Sequence, residues 1–155
     1  MSEKVKLTID GKEVQVSEGT YIIDAAEATG IHIPNLCYLK GMKAVGACRL
    51  CLVEVEGGKG PVIACNAKVK DGMVVSTSTE RIQEARRFVI DLIVSMHPLD
   101  CMTCTKPGVC ALQKYAYDLE VAESSFTRKK LDTSPTRPTP LSSATPNTAS
   151  SAASA

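Results

Sequence analysis

A chain of 155 residues with a formal net charge of +1 has room for one modest core or two small units, not for a large catalytic domain. The balanced charge leaves no footprint for nucleic acid, and 4% aromatic content with no Trp leaves no platform for stacking bases. The first residues lack the apolar centre of a signal peptide, and the longest apolar stretch, Phe88 to Met96, is interrupted by Asp91 and too short to span a bilayer. A cytoplasmic protein without membrane insertion or a nucleic-acid partner is expected.

The chain opens on alternation. Val5, Leu7 and Ile9 share one face and Lys4, Lys6 and Thr8 the other, and after Asp10-Gly11 the pattern resumes at Val14 and Val16. An Asp-Gly pair between alternating runs predicts a hairpin. Thr20 is read as the cap of a helix from Tyr21 to Thr29, closed by Gly30. Ile33-Pro34 then imposes an extended entry to Cys37. His32 belongs to no motif and is read as structural or exposed.

The stretch from Cys37 to Cys65 organises this half of the chain. Its cysteines, Cys37, Cys48, Cys51 and Cys65, are spaced C-x10-C-x2-C-x13-C. One close pair flanked by two distant single cysteines resembles the plant-type ferredoxin arrangement with a longer first loop, and four thiolates suffice for a [2Fe–2S] cluster. A four-cysteine zinc site is the competing reading, although such sites usually pair two C-x2-C knuckles. Disulfides compete too, but nothing in the chain points to an oxidising compartment. Beyond Cys51, strands are predicted over Leu52 to Glu56, Val62 to Cys65 and, after the Asp71-Gly72 turn, Met73 to Ser76.

A second unit begins at Ser78-Thr79, both suited to cap a helix. Ile82, Ala85, Val89, Leu92, Ile93 and Met96 fall on one helical face and are read as its core stripe, with the Arg86-Arg87 pair on a solvated side. Pro98 ends this helix near His97. Seven cysteines are an awkward number for disulfides. The three outside the first set, Cys101, Cys104 and Cys110, follow His97 in the spacing H-x3-C-x2-C-x5-C. One histidine and three cysteines suit either a structural zinc ion or a cubane iron–sulfur cluster with imidazole on one corner. Cys110 opens a further predicted helix, Ala111 to Glu120.

In this order, IPNLCY (Ile33 to Tyr38), GACRLCLVEVEG (Gly46 to Gly57) and HPLDCMTCTKPGVCALQ (His97 to Gln113) closely resemble a known module. It is the N-terminal iron–sulfur region of the large iron–sulfur subunit of respiratory complex I. Iron-only hydrogenases, NAD-linked formate dehydrogenases and the small diaphorase subunit of NAD-reducing hydrogenases share it. The resemblance covers about residues 4–127. It implies an α+β fold: a β-grasp [2Fe–2S] ferredoxin-like domain over 1–78, then a small helical unit over 79–130 carrying a His-ligated [4Fe–4S] cluster. It further implies that Cys37, Cys48, Cys51 and Cys65 ligate the first cluster, and His97, Cys101, Cys104 and Cys110 the second. No catalytic residue is implied. The implied role is electron transfer, with a flavin- and NAD-binding diaphorase subunit and a catalytic subunit as partners. Pro107 departs from the pattern, which favours a small residue there, and its missing N–H removes one donor to cluster sulfide. Two other classes remain open: the head of a longer catalytic chain, and a zinc-stabilised binding module without redox activity.

From Thr133 to Ala155 the chain is Ser, Thr, Pro or Ala except for Arg137, Leu141 and Asn147, and a disordered tail over 131–155 is expected. The tail also reads as a frame-shifted ferredoxin domain. Ala149 to Ala155 back-translate to bases that, begun one nucleotide earlier, encode Cys-Ile-Leu-Cys-Gly-Lys-Cys, the opening of a bacterial ferredoxin cluster site. On this reading the codons of Thr148, Ser151 and Ser154 all end in T. Sequencing the gene tests it, and any other third base at one of the three makes the tail a genuine linker.

Overall fold

The computed structural model describes residues 4–126, and the expectations for residues 131–155 lie outside that range. In chain order the elements are β1 (Lys4–Ile9), β2 (Lys12–Ser17), α1 (Ile22–Ala28), β3 (Leu52–Val55), β4 (Val62–Ile63), β5 (Met73–Ser76), α2 (Glu80–Met96) and α3 (Ala111–Asp118). The five strands form one mixed sheet in the order β2-β1-β5-β3-β4. β1 and β2 make the predicted hairpin, with Lys4 opposite Ser17 and Ile9 opposite Lys12. Its turn places Asp10 at φ 46 and Gly11 at φ 79, the left-handed pair that a two-residue hairpin requires. β5 then runs parallel to β1, Leu7 opposite Met73, and antiparallel to β3. A hairpin, a crossing helix and a final strand returned beside the first give the α+β, β-grasp architecture.

Alternation decides what the sheet buries. Val5, Leu7 and Ile9 of β1 point into a core completed by Val53, Val75 and, from α1, Ile22, Ile23, Ala25 and Ala26. α1 is shorter than predicted, and Thr20 is not its cap. The Thr20 hydroxyl donates to the Ser17 carbonyl at 2.7 Å. The free N–H groups at the start of the helix are met by backbone instead: Ile22 donates to Ala67 at 2.9 Å and Ile23 to Ala64 at 3.2 Å. Gly30 closes the helix at φ 76, as expected. β3 and β4 end earlier than predicted, at Val55 and Ile63; Gly58 N–H already turns back to Val55 O at 2.9 Å.

A second core holds Leu50, Ile90, Val94, Tyr115 and Val121, with Leu36, Cys48, Val89 and Leu112 packed at its edge. α2 begins where the sequence placed it, with Thr79 Oγ1 accepting from Ile82 N–H at 3.3 Å. Its buried stripe is nonetheless different. Ile82, Arg86, Ile90 and Val94 face inward, whereas Leu92 and Met96 are exposed. Apolar residues occupy more than one side of this helix, and tertiary contacts select an i, i+4 row that includes an arginine. That arginine was expected on a solvated face and is instead 3% exposed. α3 crosses α2 at the second core, and beyond it Ser124 Oγ donates to the Asp91 carboxylate at 2.7 Å.

The helix register has a direct test. Ile90→Ala should cost about 2–5 kcal/mol, the usual range for a fully buried aliphatic side chain, while Leu92→Ala should cost under about 1 kcal/mol. Equal losses by chemical denaturation would contradict the observed stripe.

Candidate functional site

Backbone architecture, rather than loop chance, brings the first four cysteines together. Cys51 enters β3, whose Leu52 pairs with Ile63 of β4, and Ala64 N–H donates to the Cys51 carbonyl at 2.9 Å. This rung sets Cys51 beside Cys65, both 1% exposed. The start of α1, bonded to Ala64 and Ala67, fixes the same segment from its other side. Cys37 is placed by the extended Ile33-Pro34 entry and by Tyr38, whose hydroxyl donates to the Asp24 carboxylate of α1 at 2.7 Å. Burial and the neighbouring Asp24 hold the Tyr38 phenol well above its ordinary pKa.

The four sulfurs are arranged as two pairs. The Cys48 thiol donates to the Cys37 sulfur, and Cys51 shares a thiol hydrogen bond with Cys65. Among the described residues, no three His, Cys, Asp or Glu side chains stand close enough to share a single metal ion. Paired donors match a binuclear cluster, in which each iron takes two thiolates, better than a lone zinc ion, which needs all four donors to converge.

The electrostatics of the pairs differ. Burial pushes Cys37 up, but the backbone N–H of Cys48, at 3.4 Å from its sulfur, the Cys48 thiol, and the N–H groups of Ala47 and Gly46 together outweigh it and leave the thiol below its usual pKa. Gly46 stands at φ 64, and Arg49, between Cys48 and Cys51, at φ 58, a left-handed conformation that non-glycine residues rarely adopt. These turns aim N–H groups at sulfur, the same donors that would neutralise a bound anionic cluster. Burial pushes Cys51 up to about 11, with the Cys65 thiol adding to it. Burial likewise raises Cys48.

The second quartet sits between helix ends. His97 caps α2 with extended backbone, and Cys110 is the residue before α3. His97, Cys101 and Cys110 line one cavity of about 100 Å³ with Val94, Leu99 and Leu112; Cys104 is exposed and lies off its lining. Pro107 precedes Gly108 at φ 76, a pair suited to a turn with a left-handed third residue, so the departure from the expected pattern has a local use. The donor set of three thiols and one imidazole is complete within this loop, and three of its members already share a wall. His32, unassigned by sequence, bonds Tyr115 Oη of α3 through Nε2 at 3.0 Å, a structural tie between the two halves. Sequence reasoning missed Arg86. It donates from Nε to Leu50 O at 3.3 Å and from Nη2 to Leu52 O at 2.7 Å, on either side of Cys51. Only its place in an otherwise apolar i, i+4 row marks it.

Residues 2–80 match the family described as the 2Fe-2S iron-sulfur cluster binding domain. The chain belongs to that family. Residues 86–125 match the NADH-ubiquinone oxidoreductase-G iron-sulfur binding region. Together these matches identify a [2Fe–2S] and a [4Fe–4S] cluster as the cofactors of this family member. The NADPH-Fe(3+) oxidoreductase subunit alpha of Geobacter sulfurreducens is 46% identical over 122 residues, 79% of this chain and 14% of that protein. An NADH-quinone oxidoreductase subunit of Mycobacterium bovis is 45% identical over 130 residues, 83% of this chain and 16% of its own length. The corresponding subunit of Rickettsia bellii is 40% identical over 126 residues, 81% and 18% of the two chains. The chain thus spans less than a fifth of the length of these curated relatives. Among solved structures, an NAD+-reducing [NiFe]-hydrogenase in the H2-reduced state superposes with TM-score 0.74 at 30% identity, covering 81% of this chain and 53% of that one. The chain described here is therefore an iron–sulfur cluster-binding sequence homologous to subunits of oxidoreductases. Among the described residues, no helix is long and apolar enough to cross a membrane.

Stripped of metal, the chain should be alkylated by iodoacetamide at Cys37 well before Cys51 and Cys65. Because the Cys37 pKa is lowered from its ordinary value, its thiolate fraction, and so its rate, should level off at a lower pH than that of an unperturbed thiol. Peptide mass mapping across a pH series reads this order. Faster labelling at Cys51 would contradict the described burial.

Proposed function

We propose that this chain relays electrons through both clusters, the first held by Cys37, Cys48, Cys51 and Cys65 and the second by His97, Cys101, Cys104 and Cys110. The observation that carries the reading is the pairing of the first four sulfurs, Cys37 with Cys48 and Cys51 with Cys65, in a wall of aimed N–H groups. Clusters bound there would supply one-electron transfer, which needs no covalent change in the protein. The residues hold the sulfurs, exclude water from the Cys51–Cys65 side and supply fixed N–H dipoles. Each quartet uses all of its donors on iron, so neither cluster keeps a free position for substrate.

Imidazole is neutral where a thiolate is anionic. A second cluster with His97 on one corner is less negative than an all-cysteine cubane and therefore less reducing in the same surroundings, as histidine ligation raises the potential of Rieske centres. We assign residues 1–78 to the [2Fe–2S] unit and 79–130 to the [4Fe–4S] unit. The working context is a cytoplasmic, NAD-linked multi-subunit oxidoreductase of the hydrogenase, formate dehydrogenase or complex-I-like type. A flavin- and NAD-binding diaphorase subunit and a catalytic subunit are its partners there. Homology to oxidoreductase subunits supports this setting.

Anaerobic reconstitution should give a brown protein with about six irons per chain, two in one cluster and four in the other. Cys48→Ser should abolish the [2Fe–2S] signal in paramagnetic resonance while keeping the [4Fe–4S] signal, and Cys104→Ser should do the reverse. A colourless protein with stoichiometric zinc would defeat the reading; loss of both signals from one substitution in a folded chain would defeat the division of ligands.

A further inference from the structure

Arg86 is a buried cation without an acidic partner in contact. It is 3% exposed, and none of the ion pairs among the described residues includes it. Among the described residues the other buried polar side chain is Thr77, which bonds Asp10 through its N–H at 2.7 Å and its hydroxyl at 2.6 Å. The guanidinium instead straddles the ligand segment, donating to the carbonyls of Leu50 and Leu52. Two carbonyls satisfy hydrogen bonds but supply no counter-charge, and a buried charge left unbalanced is strongly destabilising. Burial works against its charged form, and the segment it grips is the one that carries Cys51.

We propose that Arg86 is a positioning residue whose charge is balanced by the [2Fe–2S] centre and which thereby raises that centre's reduction potential. The inference rests on the ligand assignment above. Four thiolates and the bridging sulfides outweigh the two irons, so the bound centre is anionic, and an entering electron makes it more so. A fixed cation in a site shielded from water stabilises the reduced form more than the oxidised one. The geometry assigns Arg86 both parts of this work. Its fork locks the backbone on either side of Cys51, and its charge stays on the α2 side of the sulfur. Lysine keeps the charge and loses the fork; glutamine keeps a donor and loses the charge. The two effects are therefore separable.

The test is a redox titration of the full chain, reconstituted anaerobically and followed by paramagnetic resonance, for wild type, Arg86→Lys and Arg86→Gln. Arg86→Gln should shift the [2Fe–2S] midpoint clearly downward, Arg86→Lys should stay near wild type, and the [4Fe–4S] midpoint should move less than the first in both. An unchanged midpoint in Arg86→Gln, or equal shifts in both variants, overturns the proposal and leaves Arg86 a structural clamp. Should Arg86→Gln retain no cluster, Arg86→Lys decides: a loaded centre near the wild-type midpoint supports the role of charge, and loss of the centre there too overturns it. A wild-type chain that takes up no [2Fe–2S] centre fails at an earlier point, because it overturns the proposed function itself.

Discussion

Leu50 and Cys51 are neighbours on the chain and belong to different cores. Leu50, fully buried, is enclosed by Ile90, Val94, Tyr115 and Val121, whereas Cys51 is packed among the residues of the sheet and α1. The short segment between Cys48 and Leu52 is thus the seam along which the sheet and the helical pair are joined. Its backbone cannot shift without disturbing one core or the other, because close-packed interiors yield little. The same segment carries the left-handed Arg49, and its carbonyls accept from Arg86. Strain of this kind persists only where the surroundings over-determine it. Here the surroundings are two cores and a guanidinium fork, and the result is that two cysteines are delivered to fixed places.

That seam bears on how independent the two halves are. Contiguity of sequence marks two units, but the second core includes Leu50 and rests on Leu36 and Cys48, all from the first stretch of cysteines. His32 adds a hydrogen bond to Tyr115 across the same boundary. The helical pair therefore completes its core with the very loop that holds the first sulfurs. Docking of α2 and α3 and ordering of that loop are one packing problem, and a change in either is felt at the other.

Much of this was legible in residues alone. Alternation and Asp10-Gly11 specified the hairpin, Thr79 capped α2 and Gly30 closed α1, because each signal acts through neighbours in sequence. The cysteine spacing points to the two proposed quartets in the same local way, because ligand chemistry is written in residue type. What was not legible depends on partners far along the chain. Thr20 looked like a cap, yet the first N–H groups of α1 are met by Ala64 and Ala67. The inward face of α2 was misplaced because apolar residues alone could not decide it. The deciding residue is a charged one, whose burial makes sense only once the carbonyls of Leu50 and Leu52, more than thirty positions earlier, stand opposite it.

The two sites also differ in what holds them before any cluster arrives. Around Cys51 and Cys65 the sheet, α1 and α2 all converge. Around Cys101 and Cys104 the chain is exposed, and Met102 and Val109 are among its most exposed apolar residues, at 95% and 83%. Such a loop buries too little to fix itself, so iron would contribute directly to its order, as metals do wherever folding and ligation are coupled. The helices nevertheless distribute the proposed ligands in an electrically sensible way. The imidazole of His97 stands at the C-terminal end of α2, where free carbonyls leave partial negative charge. The thiol of Cys110 stands at the N-terminal end of α3, where free N–H groups favour an anion. Interchanging the two would set a thiolate against carbonyls and remove the anion from the N–H groups. The order of these two proposed ligands, histidine first and cysteine after, thus agrees with the polarity of the helix ends that carry them.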